Sequence, residues 1–283
     1  MSNINLTVPF IESCWRQLIL GFIQGITEFL PISSSAHLKV IPAFLGWGDP
    51  GISISASIQL GSIFAVVFYF RRDLLDVFKG FSYAFKENNW KNSRSFLSNA
   101  ILIGTFPIVI AGGSIKLFWP EYENSPLRSF PSIAIVSIIM GFFLFLAERF
   151  GTKLKKLDDI KGSDGLFIGL AQVLALIPGV SRSGITLTAA LLLGWERNSA
   201  ARFSFLLGIP AISIAGLIEV KNSINELSLE SVIPFFIGIL SAAITSWLAI
   251  DFLMRFLQKN STHIFITYRL FFGVILLVWW LQL

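Results

Sequence analysis

The chain contains few of the residues that cross-link or solvate a soluble protein. One cysteine, Cys14, occurs in 283 residues, which excludes an intrachain disulfide and a metal cage built from cysteines. Only 14% of the residues are charged, whereas soluble domains average roughly 25%. Hydrophobic residues make up 54% of the chain, and the mean hydropathy is +0.72. This composition predicts an integral membrane protein that crosses the bilayer several times.

Positive charge is in excess, at +5, but it lies in a few loops beside apolar stretches. We therefore interpret it as an orientation signal and expect no nucleic-acid partner. The basic residues of loops 120–130 and 219–231 are few: Arg128 in the first and Lys221 in the second. The loops predicted for the opposite face contain many more basic residues: Arg71, Arg72, Lys79, Lys86, Lys91, Arg94, Arg149, Lys153, Lys155, Lys156, Lys161, Arg255 and Lys259. Because basic loops stay in the cytoplasm, this richer face is predicted to be cytoplasmic.

Six apolar stretches approach the roughly 20 residues that a helix needs to cross a bilayer. They lie at about Ile52–Phe70, Phe96–Phe118, Pro131–Ala147, Phe203–Ile218, Val232–Leu253 and Ile264–Leu283. We expect each stretch to form one transmembrane helix, which gives an all-α polytopic membrane protein.

Two further segments, Gly21–Leu38 and Gly169–Leu187, resemble each other and are polar in the middle. An offset of 148 positions, the difference between 169 and 21, superposes identical residues: Gly21 on Gly169, Gln24 on Gln172, Ser33 on Ser181 and Ser35 on Ser183. Proline, glycine and serine interrupt both segments, and irregular backbone at membrane depth must be surrounded by protein or a wet cavity. We expect each segment to form a re-entrant helix–loop–helix hairpin, with arms too short to span the bilayer.

The similarity extends beyond the hairpins and predicts an internal duplication. Leu60-Gly61 matches Leu207-Gly208, and Ile103-Gly104 matches Ile237-Gly238. We predict one membrane domain, 1–283, with a first repeat at about 15–147 and a second at about 165–283. The hairpins occupy 15–46 and 165–194, and a cytoplasmic linker covers 148–164. Because three spans follow each hairpin, the second repeat enters the membrane inverted, an arrangement that brings broken helices together near the midplane.

Arg182 is the strongest indication of function in the second segment. An arginine keeps its charge, is costly in a bilayer, and matches phosphate with its planar fork. It precedes an apolar helical stretch, Ile185–Leu193, and backbone N–H groups at a helix start favour anions. The side chains predicted to bind phosphate there are Arg182, Ser181, Ser183 and Thr186.

The first segment contains groups suited to attack a phosphate. Glu28 and His37 flank Ser33 and Ser34, and a neutral histidine can accept a proton from a serine hydroxyl while a carboxylate orients it. Glu28 also lies four residues after Gln24, on the same helix face. Oxygen atoms at that spacing suit Mg²⁺ or Ca²⁺, so Glu28 and Gln24 are the predicted metal ligands.

These residues resemble the signatures of the undecaprenyl-diphosphatases, also called bacitracin-resistance proteins. The first signature, (E/Q)-G-x-T-E-x-x-P-x-S-S-x-x-H, corresponds to Gln24–His37, and the second, P-G-x-S-R-S-x-x-T, corresponds to Pro178–Thr186. The resemblance covers essentially the whole chain. One position departs from the commonest form, because Gln24 stands where the family usually has an acidic residue.

The resemblance implies hydrolysis of undecaprenyl diphosphate to undecaprenyl phosphate and inorganic phosphate, which recycles the lipid carrier of cell-envelope synthesis. It also implies a divalent cation, a plasma-membrane location and a site that faces outward. Carried over to this chain, the site comprises Glu28, Ser33, Ser34 and His37 from the first signature and Ser181, Arg182, Ser183 and Thr186 from the second. Ser33 is expected to bind phosphate together with the four residues of the second signature. The expected protein partner is a second copy of the chain, in a homodimer.

The sequence leaves two alternatives open. Ser34 is the preferred nucleophile with His37 as its base, and the other route has His37 itself attack the terminal phosphorus. Inverted repeats with broken helices also occur in transporters, so the second functional hypothesis is a transporter of polyprenyl phosphate. Transport requires no nucleophile, and the combination of serine, glutamate and histidine therefore favours hydrolysis.

Overall fold

The computed structural model describes residues 10–49, 51–90, 95–223 and 229–282. These residues form α-helices joined by short loops and 3₁₀ turns, with no β-strand in the described ranges. The helices are α1 (Phe10–Phe29), α2 (Ser34–Phe44), α3 (Gly51–Tyr69), α4 (Arg71–Lys86), α5 (Phe96–Phe118), α6 (Phe130–Phe150), α7 (Gly162–Gln172), α8 (Arg182–Leu192), α9 (Arg197–Ser223), α10 (Leu229–Lys259) and α11 (His263–Trp280).

The predicted all-α polytopic membrane fold is confirmed. Helices α3, α5, α6, α9, α10 and α11 coincide with the six predicted spans. Helices α5, α6, α9, α10 and α11 are each long and apolar enough to cross a bilayer, with mean hydropathies between 1.7 and 2.4. Large apolar side chains such as Phe106, Phe142 and Phe271 remain more than half exposed on these helices. Such exposure suits contact with lipid, because hydrocarbon is as apolar as the side chains themselves.

Both copied segments are broken helices. The first break separates α1 from α2 and contains Pro31, and the second separates α7 from α8 and contains Pro178. Ser33 and Ser181, the residues immediately before α2 and α8, adopt φ values of 77° and 69°. Positive φ is uncommon for residues other than glycine. The two segments therefore share a strained backbone turn at the positions that the offset superposes.

Helix α1 is longer than the first hairpin arm that the sequence predicted. It has 20 residues and begins five residues before the predicted start of the hairpin, whereas α2, α7 and α8 are short. Helix α1 is not among the described helices that are long and apolar enough to cross a bilayer, and its role as a hairpin arm stays a prediction. The helix extends towards the N-terminus because Ile11, Trp15 and Phe22 continue one apolar, exposed stripe at helical spacing.

Helices of the first predicted repeat pack against helices of the second. Helix α1 packs along α10 and α7 along α5, while α3 packs against α9 and α6 against α11. A Cβ atom on Gly21 would lie 2.2 Å from the Gly238 carbonyl oxygen, and one on Gly169 would lie 2.3 Å from that of Gly104. These are the glycines that the proposed duplication pairs. The packing agrees with two inverted repeats, whose division at 15–147 and 165–283 stays a prediction.

One segment predicted as a basic loop is largely a helix. Helix α4 buries Val77, Gly80 and Ala84 and packs on α5, whereas Phe78 and Phe85 are exposed. The sequence interpretation missed it because its apolar residues are interspersed with charges and no continuous apolar run appears. Lys91 and Arg94, from the same predicted loop, lie outside the described residues.

Candidate active site

The two broken segments meet at one cavity of about 290 Å³. The cavity is lined by residues from both breaks and from α3, α5 and α9. Its buried end carries most of the polar groups predicted to be functional: Gln24, Glu28, Ser33, Ser34, Ser181 and Arg182, together with Gln59. Its exposed end, which we call the mouth, carries Lys39, Asp49 and Arg128. Residues 154 positions apart thus contribute to one site.

Glu28 is the centre of the hydrogen-bond network at the buried end. Its Oε2 accepts a hydrogen bond from the Ser34 hydroxyl at 2.6 Å and from the Gln24 amide at 3.1 Å. Its Oε1 accepts from Gln59 Nε2 and from an Arg182 guanidinium nitrogen, both at 3.4 Å. A carboxylate in this position can both receive the Ser34 proton and balance the charge of Arg182.

Arg182 reaches the same carboxylate from the second segment. Its side chain is 9% exposed, and one terminal nitrogen donates to the Ser204 carbonyl oxygen at 3.3 Å. Within the described part of the chain, its Nε is buried and has no hydrogen-bond partner. A buried donor without an acceptor is costly. Because that Nε is shielded from solvent, what Arg182 offers to an anion in the cavity that it lines is a positive charge that is only loosely paired with Glu28.

The Arg182 guanidinium depends on a glycine in α9. A Cβ atom on Gly208 would lie 1.5 Å from an Arg182 terminal nitrogen, so any larger residue must displace the guanidinium. We predict that Gly208→Ala lowers turnover about 100-fold, since displacement of a positioning group by about 1 Å can cost that much. The measurement is steady-state phosphate release from a polyprenyl diphosphate, the substrate class that the resemblance implies.

Gly216→Ala, on the same helix, is the matched control. A Cβ atom there would first meet the end of the flexible Ile63 side chain at 3.0 Å, and turnover should remain close to that of the wild type. Unchanged turnover in a correctly folded Gly208→Ala protein would contradict the assigned position of Arg182.

The predicted phosphate-binding hydroxyls do not all face the cavity. Ser33 and Ser181 line it. The Ser183 hydroxyl instead donates to the Glu28 and Leu30 carbonyl oxygens at 3.2 and 3.1 Å, and that of Thr186 contacts Ser204 and the Arg182 carbonyl oxygen. In this arrangement Ser183 ties the second segment to the first, and Thr186 ties α8 to α9.

The structure does not bring the His37 ring to the Ser34 hydroxyl. His37 Nδ1 lies 2.7 Å from the Ser33 carbonyl oxygen, and Nε2 lies 2.6 Å from the Tyr268 hydroxyl. Because a carbonyl only accepts, Nδ1 carries the proton and Nε2 accepts from Tyr268. The ring also stacks on Phe272, with centroids 4.6 Å apart. Both nitrogens are thus engaged away from the cavity that contains Ser34.

Arg269, in α11, is a residue that the sequence interpretation missed. It is 1% exposed and donates to the Pro31 carbonyl oxygen at 3.1 Å, to that of Gly179 at 2.7 Å and to that of Val180 at 3.1 Å. One guanidinium therefore holds the backbones of both breaks together. The available signal was a charge inside an apolar span, which is expensive and usually has a defined role.

The side chains present supply few ligands for a metal ion. Among the described residues, no group of three histidine, cysteine, aspartate or glutamate side chains converges. Glu28 and Gln24 are adjacent and both line the cavity, but Mg²⁺ prefers six oxygen ligands. These two residues fit a divalent cation only if substrate and water oxygens complete its coordination.

Fold and site together define an all-α polytopic membrane protein with a serine–carboxylate pair and a buried arginine in one cavity. The chain belongs to the bacitracin resistance protein BacA family, whose model matches residues 17–275. The resemblance of the two signatures to that family is thereby confirmed.

Proteins named undecaprenyl-diphosphatase are similar to this chain over nearly their whole length. One from Prochlorococcus marinus (strain MIT 9303) is 61% identical over 276 residues, covering 98% of this chain and 94% of that protein. Another, from Parasynechococcus marenigrum (strain WH8102), is 58% identical over 281 residues, covering 99% and 98%. A third, from Synechococcus sp. (strain WH7803), is 60% identical over 270 residues, covering 95% and 94%.

Proposed function

We propose that this chain is an undecaprenyl-diphosphate phosphatase. It hydrolyses undecaprenyl diphosphate to undecaprenyl phosphate and inorganic phosphate, recycles the lipid carrier for peptidoglycan synthesis and confers resistance to bacitracin. The names of its relatives support this substrate. The observation that carries the proposal is the 2.6 Å hydrogen bond from the Ser34 hydroxyl to Glu28, beside the Arg182 guanidinium that lines the same cavity.

In the first step, Ser34 Oγ attacks the terminal phosphorus of the diphosphate. The Ser34 proton passes to Glu28 Oε2 as the Oγ–P bond forms, and the bond from that phosphorus to the bridging oxygen breaks. Undecaprenyl phosphate leaves with the bridging oxygen. A base already hydrogen-bonded to the nucleophile is the usual means of activating a serine.

In the second step, a water oxygen attacks the phosphorus of the phosphoserine, and the bond from that phosphorus to Ser34 Oγ breaks. Protonated Glu28 returns its proton to Ser34 Oγ, and both protons of the water leave with inorganic phosphate. In both steps Arg182, with the Ser33 and Ser181 hydroxyls, stabilises negative charge on the phosphoryl oxygens. Positioning and electrostatics of this kind account for most of the catalysis of phosphoryl transfer.

His37 has a positioning role in this mechanism. Its Nδ1–H group donates to the carbonyl oxygen of Ser33, the residue that precedes Ser34 and adopts positive φ. The ring thereby supports the backbone turn that presents the nucleophile. Contact between Glu28 and Ser34 favours this route over a direct attack by His37.

The site is proposed to open to the outer face of the plasma membrane. Lys39, Asp49 and Arg128 at the mouth lie on the side of loop 120–130, which contains a single basic residue. By the positive-inside rule, that side is exterior. The site is complete within one chain, so the homodimer stays a prediction without a role in hydrolysis.

A divalent cation, Mg²⁺ or Ca²⁺, is proposed as the cofactor, with Glu28 and Gln24 as its protein ligands. When bound, it would supply charge neutralisation to the diphosphate. Glu28 is oriented by its contacts with Ser34, Gln59 and Arg182.

Gln24→Glu is predicted to lower the Mg²⁺ or Ca²⁺ concentration for half-maximal activity about tenfold. The new carboxylate would lie beside Glu28, where the amide nitrogen now donates at 3.1 Å, and two adjacent carboxylates attract a hard cation. The measurement is phosphate release during metal titration after EDTA treatment. Gln24→Asn, which adds no charge, is the control, and an unchanged metal requirement in Gln24→Glu would contradict this ligand pair.

The function is tested by phosphate release from undecaprenyl diphosphate by the purified protein in detergent, with and without EDTA. We expect release in equal amount to the undecaprenyl phosphate formed, and a Ser34→Ala preparation corrects for contaminating phosphatases. If no phosphate is released with any metal or detergent, while lipid phosphate crosses liposomes containing the protein, the transporter alternative replaces this proposal.

A further inference from the structure

A second cluster of charged side chains lies at the mouth of the cavity, separate from the Ser34 site. Lys39 extends from α2, and Arg128 is the last residue of a 3₁₀ turn that precedes α6. Both approach one oxygen atom, Asp49 Oδ2, at 3.4 Å from Lys39 Nζ and 3.7 Å from an Arg128 terminal nitrogen. Three chain segments thus bring two cations to one carboxylate oxygen.

The two cationic side chains of this cluster are more deeply buried than its carboxylate. The side chains of Lys39 and Arg128 are 20% and 17% exposed, whereas that of Asp49 is 39% exposed. The Lys39 ammonium is also held 5.9 Å from the centre of the Phe130 ring. The cations are therefore fixed in the cavity wall, and the anion between them is the group nearest to solvent.

The charge of the cluster favours a further anion. Two cations and one carboxylate leave a net charge of +1 at the opening of a cavity whose buried end contains Arg182. Arginine with lysine is a pairing suited to phosphate, because the guanidinium fork contacts two oxygen atoms and the ammonium adds a compact charge. A carboxylate held between two such cations occupies the position of an anionic ligand.

We propose that Lys39 and Arg128 form a second phosphate-binding subsite, and that Asp49 is its internal occupant until a phosphate displaces it. The ligand class is a phosphate group, either inorganic phosphate or the headgroup of a lipid phosphate. Both would pass the mouth during the turnover described above, and in that respect the inference rests on the proposed function. The second subsite itself consists only of the mouth residues Lys39, Asp49 and Arg128, and it does not include the groups that carry out hydrolysis.

The proposal predicts opposite effects for the two kinds of mouth residue. Lys39→Gln and Arg128→Gln each remove a cation and should weaken phosphate binding about threefold to tenfold, the range expected for loss of one charge-assisted contact. Asp49→Asn removes the competing anion and should strengthen phosphate binding by a similar factor. A salt bridge with a purely structural role would predict weaker binding in all three variants.

The experiment is calorimetric titration of the Ser34→Ala protein, which retains the mouth but not the proposed nucleophile. One arm uses inorganic phosphate and the other uses undecaprenyl phosphate in detergent, so the two sources of the ligand are distinguished. Lys116→Gln is the matched control, since Lys116 is an exposed residue near the C-terminal end of α5 and does not line the cavity. Size-exclusion profiles establish that every variant is folded.

Tighter binding in Asp49→Asn together with weaker binding in Lys39→Gln and Arg128→Gln, in either arm, supports the subsite. Equal affinities in all variants, or weaker binding in all three, overturns it. Because these titrations need no turnover, they separate two failures. The wild-type protein could release no phosphate while Asp49→Asn strengthens binding and Lys39→Gln and Arg128→Gln weaken it. That result would disprove the proposed function and leave the subsite intact.

Discussion

Ser34→Ala is expected to lower the rate of phosphate release by at least about a thousandfold, because loss of a catalytic nucleophile usually removes most of an enzyme's rate enhancement. The Ser34 hydroxyl is the only one in contact with the Glu28 carboxylate among the described hydrogen bonds. The measurement is kcat with undecaprenyl diphosphate at saturating concentration. Substrate affinity should change little, since the groups that hold the phosphate remain.

Ser35→Ala is the matched control for this prediction. Ser35 is the next residue and lines the same cavity, but its hydroxyl contacts Ser33 at 3.1 Å and the Gly179 amide at 3.4 Å. We expect its kcat to fall by less than about tenfold, as for a surface hydrogen bond. Near-wild-type turnover in Ser34→Ala would eliminate the serine route.

Glu28→Gln tests whether the serine and the carboxylate act as one unit. A neutral amide cannot accept the Ser34 proton, so the single variant should be impaired as severely as Ser34→Ala. The double variant should be hardly worse than either single one, because residues that act together have non-additive effects.

The second large effect is expected for Arg182→Lys, at about 10²-fold to 10³-fold in kcat. The charge is kept, but the planar fork that contacts two oxygen atoms is lost, and removal of one stabilising donor commonly costs this much. Steady-state kinetics and size-exclusion profiles of the purified variant check this expectation.

Arg202→Lys is the control for a general effect of arginine replacement. Arg202 also lies in the second half of the chain, but it pairs with Asp73 and its side chain is 44% exposed. Its replacement should alter kcat by less than about threefold, in keeping with a partly exposed ion pair. Wild-type turnover in Arg182→Lys would remove Arg182 from the mechanism.

The fold could be predicted because its signals are local and strong. Long apolar runs identified the six spans, and Pro31 and Pro178 marked the breaks in the two copied segments. Helix α4 was missed because an amphipathic surface helix produces no continuous apolar run. The length of α1 was also missed, since the similarity between the copies begins at Gly21 and the helix begins at Phe10.

The candidate site was predictable in its composition but not in its contacts. The sequence identified Glu28, Ser34 and Arg182, since ionisable and nucleophilic groups stand out in an apolar segment. It could not indicate that Ser34 contacts Glu28 and that His37 contacts Tyr268. Which side of a short helix faces the cavity depends on its packing partners, and these are more than 200 residues away in the case of His37.

The roles of Arg269 and Gly208 also could not be predicted from the sequence. Arg269 binds carbonyl oxygens on both breaks, and backbone acceptors leave no pattern in a sequence. Gly208 makes room for the Arg182 guanidinium, and a glycine in an apolar helix is too common to indicate such a role. Both residues act through distances between segments that only the folded chain defines.

The most direct test of the mechanism is rapid quenching, in SDS at neutral pH, of the enzyme with undecaprenyl diphosphate labelled in its terminal phosphate, followed by acid treatment of the labelled peptides. We predict acid-stable label on the peptide that contains Ser34, its absence in Ser34→Ala, and its accumulation when hydrolysis of the phosphoserine is slowed. Acid-labile label on the peptide, retained in Ser34→Ala and lost in His37→Ala, would contradict the account and assign the attack to histidine.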